Sequence, residues 1–172
     1  MRNLYISRFR LFHQGYLDVV KYILEKDQKE LIIGIGASQH SHSPDNPFTG
    51  KEREEMIRGT LRIEGLANRT WVVQIDETNI DYDSWTSLVQ KICPPFDLVY
   101  SNSELVRLLF ARDGYQVEEV PKFKRKEYSF DFIRDKILKH EPWEDLIPYP
   151  VARFMKDYQL DKRLIKLCHA GN

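Results

Sequence analysis

Two hydrophobic periodicities alternate along the first 118 residues of the chain. Short apolar runs predict five strands, of which the first ends at Ile6 and the others lie at 31–36, 71–73, 97–100 and 115–117. Apolar residues spaced three and four apart predict helices between these strands, at 15–25, from the capping box of Thr49 to Leu61, at 84–92 and at 103–110. From residue 129 onward the pattern is helical only.

Strands that alternate with helices need crossover connections, and such connections join parallel strands. We therefore predict an α/β fold, a doubly wound parallel sheet of about five strands with a C-terminal helical appendage. The length of 172 residues suits a single domain, with the sheet core at 1–128 and the helical part at 129–172. Ligands of such sheets bind beyond the carboxyl ends of the strands, which predicts one cleft formed by the loops at 7–14, 37–48, 74–83 and 101–103.

Composition and charge narrow the classes of function. The chain has 26 basic and 26 acidic residues, so no overall charge favours nucleic acid or a membrane as a partner. No apolar stretch reaches the roughly 18 residues of a membrane span, and the N-terminus has no signal-peptide pattern. Cys93 and Cys168 have no metal-binding spacing. We therefore expect a cytoplasmic protein that has no nucleic-acid and no membrane partner.

The turn after the first strand carries the strongest chemical signal. Arg8, Phe9 and Arg10 follow the strand, and His13 and Gly15 open the next helix at once. Backbone N–H groups and the positive end of the helix point to one place in such a turn, which suits a phosphate group. Arg8, Arg10 and His13 would add side-chain donors there.

This turn resembles the nucleotidyltransferase signature G-R-F-Q-P-x-H-x-G-H, in the form found in archaeal nicotinamide-nucleotide adenylyltransferases. The chain departs from it at four positions, with Ser7 for Gly, Arg10 for Gln, Leu11 for Pro and Tyr16 for the second His. The loop at 37–53 is similar to the family pattern S-A-Q-x-S-H-(three residues)-P-F-T-x-x-E-R. Residues 128–134, Y-S-F-D-F-I-R, resemble Y-S-G-T-E-I-R, with Asp131 in place of the Thr.

The resemblance implies adenylyl transfer from ATP, with Mg, to nicotinamide mononucleotide, and therefore ATP and the mononucleotide or NAD as partners. It implies catalytic roles for His13, Arg134 and, in place of the second His, Tyr16. The implied ATP-binding residues are Arg8, Phe9, His13, Asn102, Ser129 and Arg134. Those implied for the nicotinamide nucleotide are Gln39, Ser41, His42, Asn46, Phe48, Asn79 and Trp85. The archaeal relatives assemble as multimers, which implies a homo-oligomer.

Several alternatives stay open at this stage. Trp85 either stacks on the nicotinamide ring or only packs its helix on the sheet, and Asp76 and Asp81 compete with Asn79 for the ligand amide. Two loop histidines, His40 and His42, with no third ligand nearby do not predict a protein-bound metal. The departures from the motifs also allow a non-catalytic nucleotide-binding protein, and the fold alone allows an acceptor such as flavin mononucleotide.

Overall fold

The computed structural model describes residues 1–77 and 82–170, and the side chains of these residues except 82 and 83. Its strands are β1 (Arg2–Ser7), β2 (Glu30–Ile35), β3 (Thr70–Gln74), β4 (Leu98–Tyr100) and β5 (Gln116–Glu118). Its α-helices are α1 (Gln14–Lys26), α2 (Gly50–Ile63), α3 (Tyr82–Ile92), α4 (Glu104–Arg112), α5 (Phe130–Leu138), α6 (Tyr149–Asp157) and α7 (Leu160–Ala170). Short 3₁₀ turns at Ala67–Arg69 and Glu144–Leu146 complete the described part.

The five strands form one parallel sheet in the order β3-β2-β1-β4-β5. The predicted doubly wound parallel sheet is confirmed. The central strand β1 pairs with β2 on one side and with β4 on the other, so the strand order reverses at β1. That reversal is where an open α/β sheet leaves a crevice at the carboxyl ends of its strands.

The core has one layer on each face of the sheet, because successive side chains of a strand point to opposite faces. Leu4 and Ile6 pack with Val89 and Phe110 beneath α3 and α4. Tyr5 and the alternate residues of β2 pack under α1, α2 and the C-terminal helices. Within the described residues no helix combines the length and the hydrophobicity that a bilayer crossing requires.

The C-terminal helices α5, α6 and α7 bury their apolar faces in the same layer as α1 and α2. A bidentate ion pair also joins α7 to the start of α2, where Arg163 donates to both carboxylate oxygens of Glu52 at 2.7 and 2.8 Å. Glu52 and Thr49 form the predicted capping box at the same place. The C-terminal helices therefore brace the loop that precedes α2.

Candidate active site

A cleft of about 1050 Å³ opens at the carboxyl ends of β1, β2 and β4, where the sheet topology predicts a ligand site. Its walls include the four loops that the sequence analysis assigned to one cleft, as far as they are described. One wall is apolar and carries Trp85, Leu105, Val106 and Leu109. The polar side chains that line it come mostly from the loop after β1 and the loop after β4, and they are Ser7, Arg8, Arg10, Tyr16, Glu77, Ser101, Asn102 and Ser103.

His13 is the N-cap of α1 rather than a residue of its first turn, which corrects the sequence prediction. Its Nδ1 accepts a hydrogen bond from the backbone N–H of Tyr16 at 3.3 Å. Burial of the ring lowers the pKa of His13 to about 3, so the imidazole is neutral at pH 7. Because Nδ1 is an acceptor, the proton of the neutral ring is on Nε2. His13 therefore offers one N–H donor and no charge before a ligand binds.

Tyr16 lies beside His13 at the edge of the cleft. The two rings stack with centroids 4.1 Å apart and an interplanar angle of 13°. The phenol oxygen is 3.4 Å from Ser7 Oγ, so two residues that depart from the signature contact each other. Burial raises the pKa of Tyr16, against the lowering effects of the Ser7 hydrogen bond and the charge of Arg10. The phenol is a neutral hydrogen-bonding group in this position.

The N-terminal ends of α1 and α5 converge next to His13. Gly15 makes this possible, since a Cβ there would lie 3.0 Å from Tyr128 Cβ and 3.1 Å from the imidazole of His13. Tyr128 directly precedes Ser129, whose Oγ caps α5 by accepting from the N–H of Phe132 at 3.2 Å. Two positive helix ends therefore lie close together, which is a favourable arrangement for a polyphosphate.

We expect Gly15→Ala to lower turnover about tenfold with little loss of stability. The added methyl group must push α1 away from Tyr128 by a few tenths of an ångström, and catalysis is sensitive to such displacements. The helix propensity of Ala offsets part of the strain. Steady-state kinetics and thermal unfolding measure the two effects. Gly59→Ala on α2 is the matched control, because its Cβ would meet Pro150 at an ordinary 3.6 Å. Equal rates for the two variants would show that Gly15 is not needed for close approach.

Arg134 of α5 reaches across to the loop after β2. Its guanidinium contacts Asp45 and Asp131, each at 3.2 Å, and stacks over the ring of Phe130. Both carboxylates are mostly exposed, so these ion pairs are weak and a triphosphate can replace them. Asp131, which stands where the family pattern has Thr, is thus paired with the arginine.

Arg8 and Gln39 meet at the rim of the cleft through Glu77, a residue that the sequence analysis did not single out. Arg8 Nη2 lies 3.3 Å from Glu77 Oε1. The Gln39 amide donates to the Glu77 carbonyl at 2.7 Å and accepts from its N–H at 3.0 Å. The loops after β1, β2 and β3 are thereby joined at one exposed point.

Arg53 is a second residue whose role the sequence did not reveal. Its side chain is 1% exposed and has no carboxylate partner among the described residues. Its guanidinium donates instead to backbone carbonyl groups of the loops after β1 and β2, those of Arg8, Gly36, Ala37, Ser38, His40 and Thr49, at 2.8–3.4 Å. Phe9 follows the carbonyl group of Arg8, and Ala37 carries another of these carbonyl groups. Both residues have positive φ angles, 44° for Phe9 and 50° for Ala37. Arg53 thus holds two strained turns in place.

Two predicted binding residues are buried in the core. The side chains of Phe9 and Phe48 are fully buried, so neither ring is available to a nucleotide in this structure. Phe9 packs on Tyr5 and Tyr16 at centroid distances of 5.2 and 4.7 Å. Apolar rings at these positions fill the interior beneath the two loops. Only their backbone groups could contact a ligand.

Of the other residues predicted for the nicotinamide nucleotide, Gln39, Ser41, His42 and Asn46 are in the loop after β2, and Trp85 is in α3. Ser41 Oγ is 2.8 Å from His42 Nδ1, and His42 is exposed with a φ of 57°. Asn46 closes a turn with Ser43 and leaves its buried Oδ1 without a hydrogen bond. Trp85 is on the cleft wall, in edge-to-face contact with Phe110 at 5.8 Å. Asn79 lies outside the described residues.

The loop after β4 supplies a helix cap and a donor for a ligand. Ser103 caps α4 by accepting from the N–H of Val106 at 3.4 Å. Asn102 is exposed at the cleft, and its Oδ1 accepts from the N–H of Val120 at 3.2 Å. The amide nitrogen of Asn102 remains available to a ligand. Across residues 1–77 and 82–170, no group of three His, Cys, Asp or Glu side chains could hold a metal ion.

The comparison with known proteins places this fold and cleft in a family. The profile described as cytidylyltransferase-like matches residues 4–134, and the chain belongs to that family. It is 40% identical to the nicotinamide-nucleotide adenylyltransferase of Thermoplasma acidophilum over 166 residues. The aligned residues are 96% of this chain and 91% of that protein. The protein of the same name from Saccharolobus solfataricus is 38% identical over 164 residues, 95% of this chain and 94% of the relative. By these similarities the chain belongs to the family of the nicotinamide-nucleotide adenylyltransferases, as its motifs indicated.

Solved structures agree with the fold. A bifunctional NMN adenylyltransferase/ADP ribose pyrophosphatase from Francisella tularensis matches with a TM-score of 0.72 at 19% identity, over 96% of this chain and 52% of that one. A structure of such an enzyme from the same organism, complexed with AMP and an Mn ion, gives 0.71 at 20% identity. This chain spans about half the length of those bifunctional enzymes. The likeness shows the shared sheet topology.

Proposed function

We propose that this protein transfers the adenylyl group of ATP to nicotinamide mononucleotide, giving NAD and pyrophosphate. The observation that carries the proposal is the meeting of two helix N-termini, those of α1 and α5, next to a nucleotide-sized cleft. His13 stacks on Tyr16 and Arg134 shares the Phe130 ring with Arg10, and both Tyr16 and Arg10 line that cleft. Relatives that share nearly the whole chain carry the name of this activity. Such an arrangement neutralises charge and orients two reactants, which is the catalysis that in-line phosphoryl-type transfer requires.

In the proposed reaction an oxygen of the mononucleotide 5′-phosphate forms a bond to the α-phosphorus of ATP. The bond from that phosphorus to the oxygen bridging the α- and β-phosphates breaks, and pyrophosphate leaves with the electron pair. No covalent enzyme intermediate is needed. The helix ends of α1 and α5, the Nε2–H of His13 and the guanidinium of Arg134 stabilise the negative charge that builds on the phosphates. Arg8 and Asn102 bind the nucleotide at the rim.

The divalent ion enters with ATP as part of the substrate. Mg²⁺ retains several waters and binds mainly through substrate phosphates, so it does not require a protein cage. We place the reaction in the cytoplasm, and a homo-oligomeric assembly stays a prediction.

The direct test is incubation of the protein with ATP, MgCl₂ and nicotinamide mononucleotide, followed by chromatographic detection of NAD. Parallel reactions contain the acid form of the mononucleotide or flavin mononucleotide. We expect NAD and one equivalent of pyrophosphate. NAD binding without any dinucleotide product would instead favour a non-catalytic binding protein, the alternative that Tyr16 at the second histidine position supports. Formation of a flavin dinucleotide would instead indicate that flavin mononucleotide is the acceptor.

Trp85 should report on the acceptor. If its ring stacks on the nicotinamide, the mononucleotide will quench tryptophan fluorescence, because a cationic pyridinium is attracted to an aromatic face. We expect Trp85→Phe to remove most of the quench measured in a fluorescence titration. Trp71→Phe is the control, since Trp71 is on the outer strand β3 and stacks with Arg2. A quench that survives in Trp85→Phe would place the pyridine ring elsewhere.

A further inference from the structure

Three departures from the family motifs lie in one network, in which Arg10 stacks on Phe130 and its charge acts on Tyr16. Arg10 stands where the pattern has Gln, Tyr16 where it has the second His, and Phe130 where it has Gly. The guanidinium of Arg10 is 4.6 Å from the centroid of the Phe130 ring, and Arg10 and Tyr16 both line the cleft.

The network positions a cation beside the phosphate-binding end of α5. Phe130 is the first residue of α5, and its ring is almost entirely buried. Arg134 stacks over the same ring at 5.3 Å, so the two guanidiniums share one aromatic support. A planar guanidinium is well suited to such stacking, and its remaining donors match phosphate oxygens. Phe130 thus fixes Arg10 at the place where the helix N-termini converge.

Arg10 is also chemically available. Arg134 is paired with two carboxylates, whereas in residues 1–77 and 82–170 no carboxylate pairs with Arg10. Arg10 and Tyr16 line the same cleft, and the charge of Arg10 opposes the effect of burial on the pKa of Tyr16. Tyr16 cannot carry a positive charge there, and His13 is neutral in the free protein. Among the described residues around His13, Arg10 is therefore a cation that no ion pair occupies.

We propose that Arg10 binds the triphosphate and supplies there a positive charge that Tyr16, at the second histidine position of the motif, cannot carry. This inference rests on the proposed function and adds a catalytic residue to it. Arg10, Phe130 and Tyr16 then act as a set: Arg10 in the loop before α1 carries the charge, the ring of Phe130 supports it, and the phenol of Tyr16 fills its position without a charge. Tyr16 becomes a packing and hydrogen-bonding residue.

The test is a double-mutant cycle of Arg10→Gln and Tyr16→His, each substitution restoring the motif residue. We expect Arg10→Gln to lower kcat about a hundredfold, the usual cost of one lost donor to transition-state charge. Tyr16→His should change kcat less than threefold when Arg10 is present and raise it at least tenfold in the Arg10→Gln background. Such non-additivity is expected of two residues that serve one role. Equal effects of Tyr16→His in both backgrounds, or a kcat of Arg10→Gln within threefold of wild type, would overturn the inference.

Calorimetric binding of inorganic tripolyphosphate separates this inference from the proposed function. Arg10→Gln should weaken that binding at least fivefold, and Arg10→Lys should retain most of it because the charge remains. If wild type forms no NAD, the proposed function fails. The difference in tripolyphosphate affinity between wild type and Arg10→Gln then still tests whether Arg10 contacts phosphate. Unchanged affinity in Arg10→Gln would remove Arg10 from the site. Thermal unfolding of each variant verifies that it folds.

Discussion

Replacing His13 with Asn is expected to lower kcat by roughly a hundredfold to a thousandfold while the protein remains as stable as wild type at pH 7. Asn is among the best N-cap residues, and its Oδ1 can accept from the N–H of Tyr16 as Nδ1 does. What Asn lacks is the Nε2–H, which in the proposed reaction donates to the phosphates, and removing one such donor has a cost of this size. His13→Ala should show the same loss of rate together with about 1 kcal/mol of lost stability. Steady-state kinetics and urea unfolding measure both.

The pH dependence of stability gives an independent reading of His13. Its pKa is about 3 in the folded protein and near 6.5 in the unfolded chain. Below pH 6.5 the unfolded chain therefore gains a proton that the folded protein does not, and stability falls as the pH falls toward 3. At pH 4.5 this amounts to about 3 kcal/mol.

The Asn variant should lose less stability on acidification than wild type, by an amount of this order. Gln14→Ala serves as a control at the neighbouring position, because in the described structure the Gln14 side chain forms a hydrogen bond only with Asp18. We expect it to leave kcat unchanged. If His13→Asn instead kept full turnover, His13 would be a helix cap and nothing more.

The strands were predictable because a strand that is buried on both faces appears in the sequence as a continuous apolar run. The run 31–36 is buried from Leu31 through Gly36, and its glycine at 34 is packed against Ile75. The cap at His13 was not predictable from preference, because Ser, Thr, Asp and Asn are the usual N-caps. A motif histidine therefore looked like a first-turn residue until the backbone was seen.

Some contacts within the site were likewise predictable from the motifs, and others were not. The motifs predicted that His13, Arg8 and Arg134 belong to one region. The N-terminal ends of α1 and α5 do converge, while Arg8 lies at the rim of the cleft with Glu77. The stacking of Arg10 on Phe130 joins residues 120 positions apart, and no local spacing encodes such a contact. Phe9 and Phe48 were assigned to the ligand because they belong to motifs. Their burial shows that a motif position can be kept for the packing that shapes a loop.

Arg53 had a detectable signal in the sequence. It occupies the apolar face of α2, at the helical spacing of Met56, Ile57, Thr60 and Leu61, all of them buried. A charged residue on such a face is expected to have hydrogen-bond partners for its whole charged group, because an unpaired buried charge is costly. The structure shows full engagement by carbonyl oxygens. Burial, reinforced by Arg8, lowers the pKa of Arg53 to about 10, so it still carries its charge at pH 7.

We expect Arg53→Met to destabilise the protein by about 4 kcal/mol or more, at the upper end of what single substitutions do. Methionine fills most of the space but leaves several buried carbonyl groups without donors, each at a cost of about 1–3 kcal/mol. Arg53→Lys keeps the charge with three donors and should lose less. The expected loss for Arg58→Met, on the same helix, is about 1 kcal/mol, because Arg58 is exposed and donates to a single carbonyl, that of Val72. Urea unfolding of the three variants measures these differences. If Arg53→Met were no less stable than Arg58→Met, the carbonyl contacts would not be what holds the two loops at the mouth of the cleft.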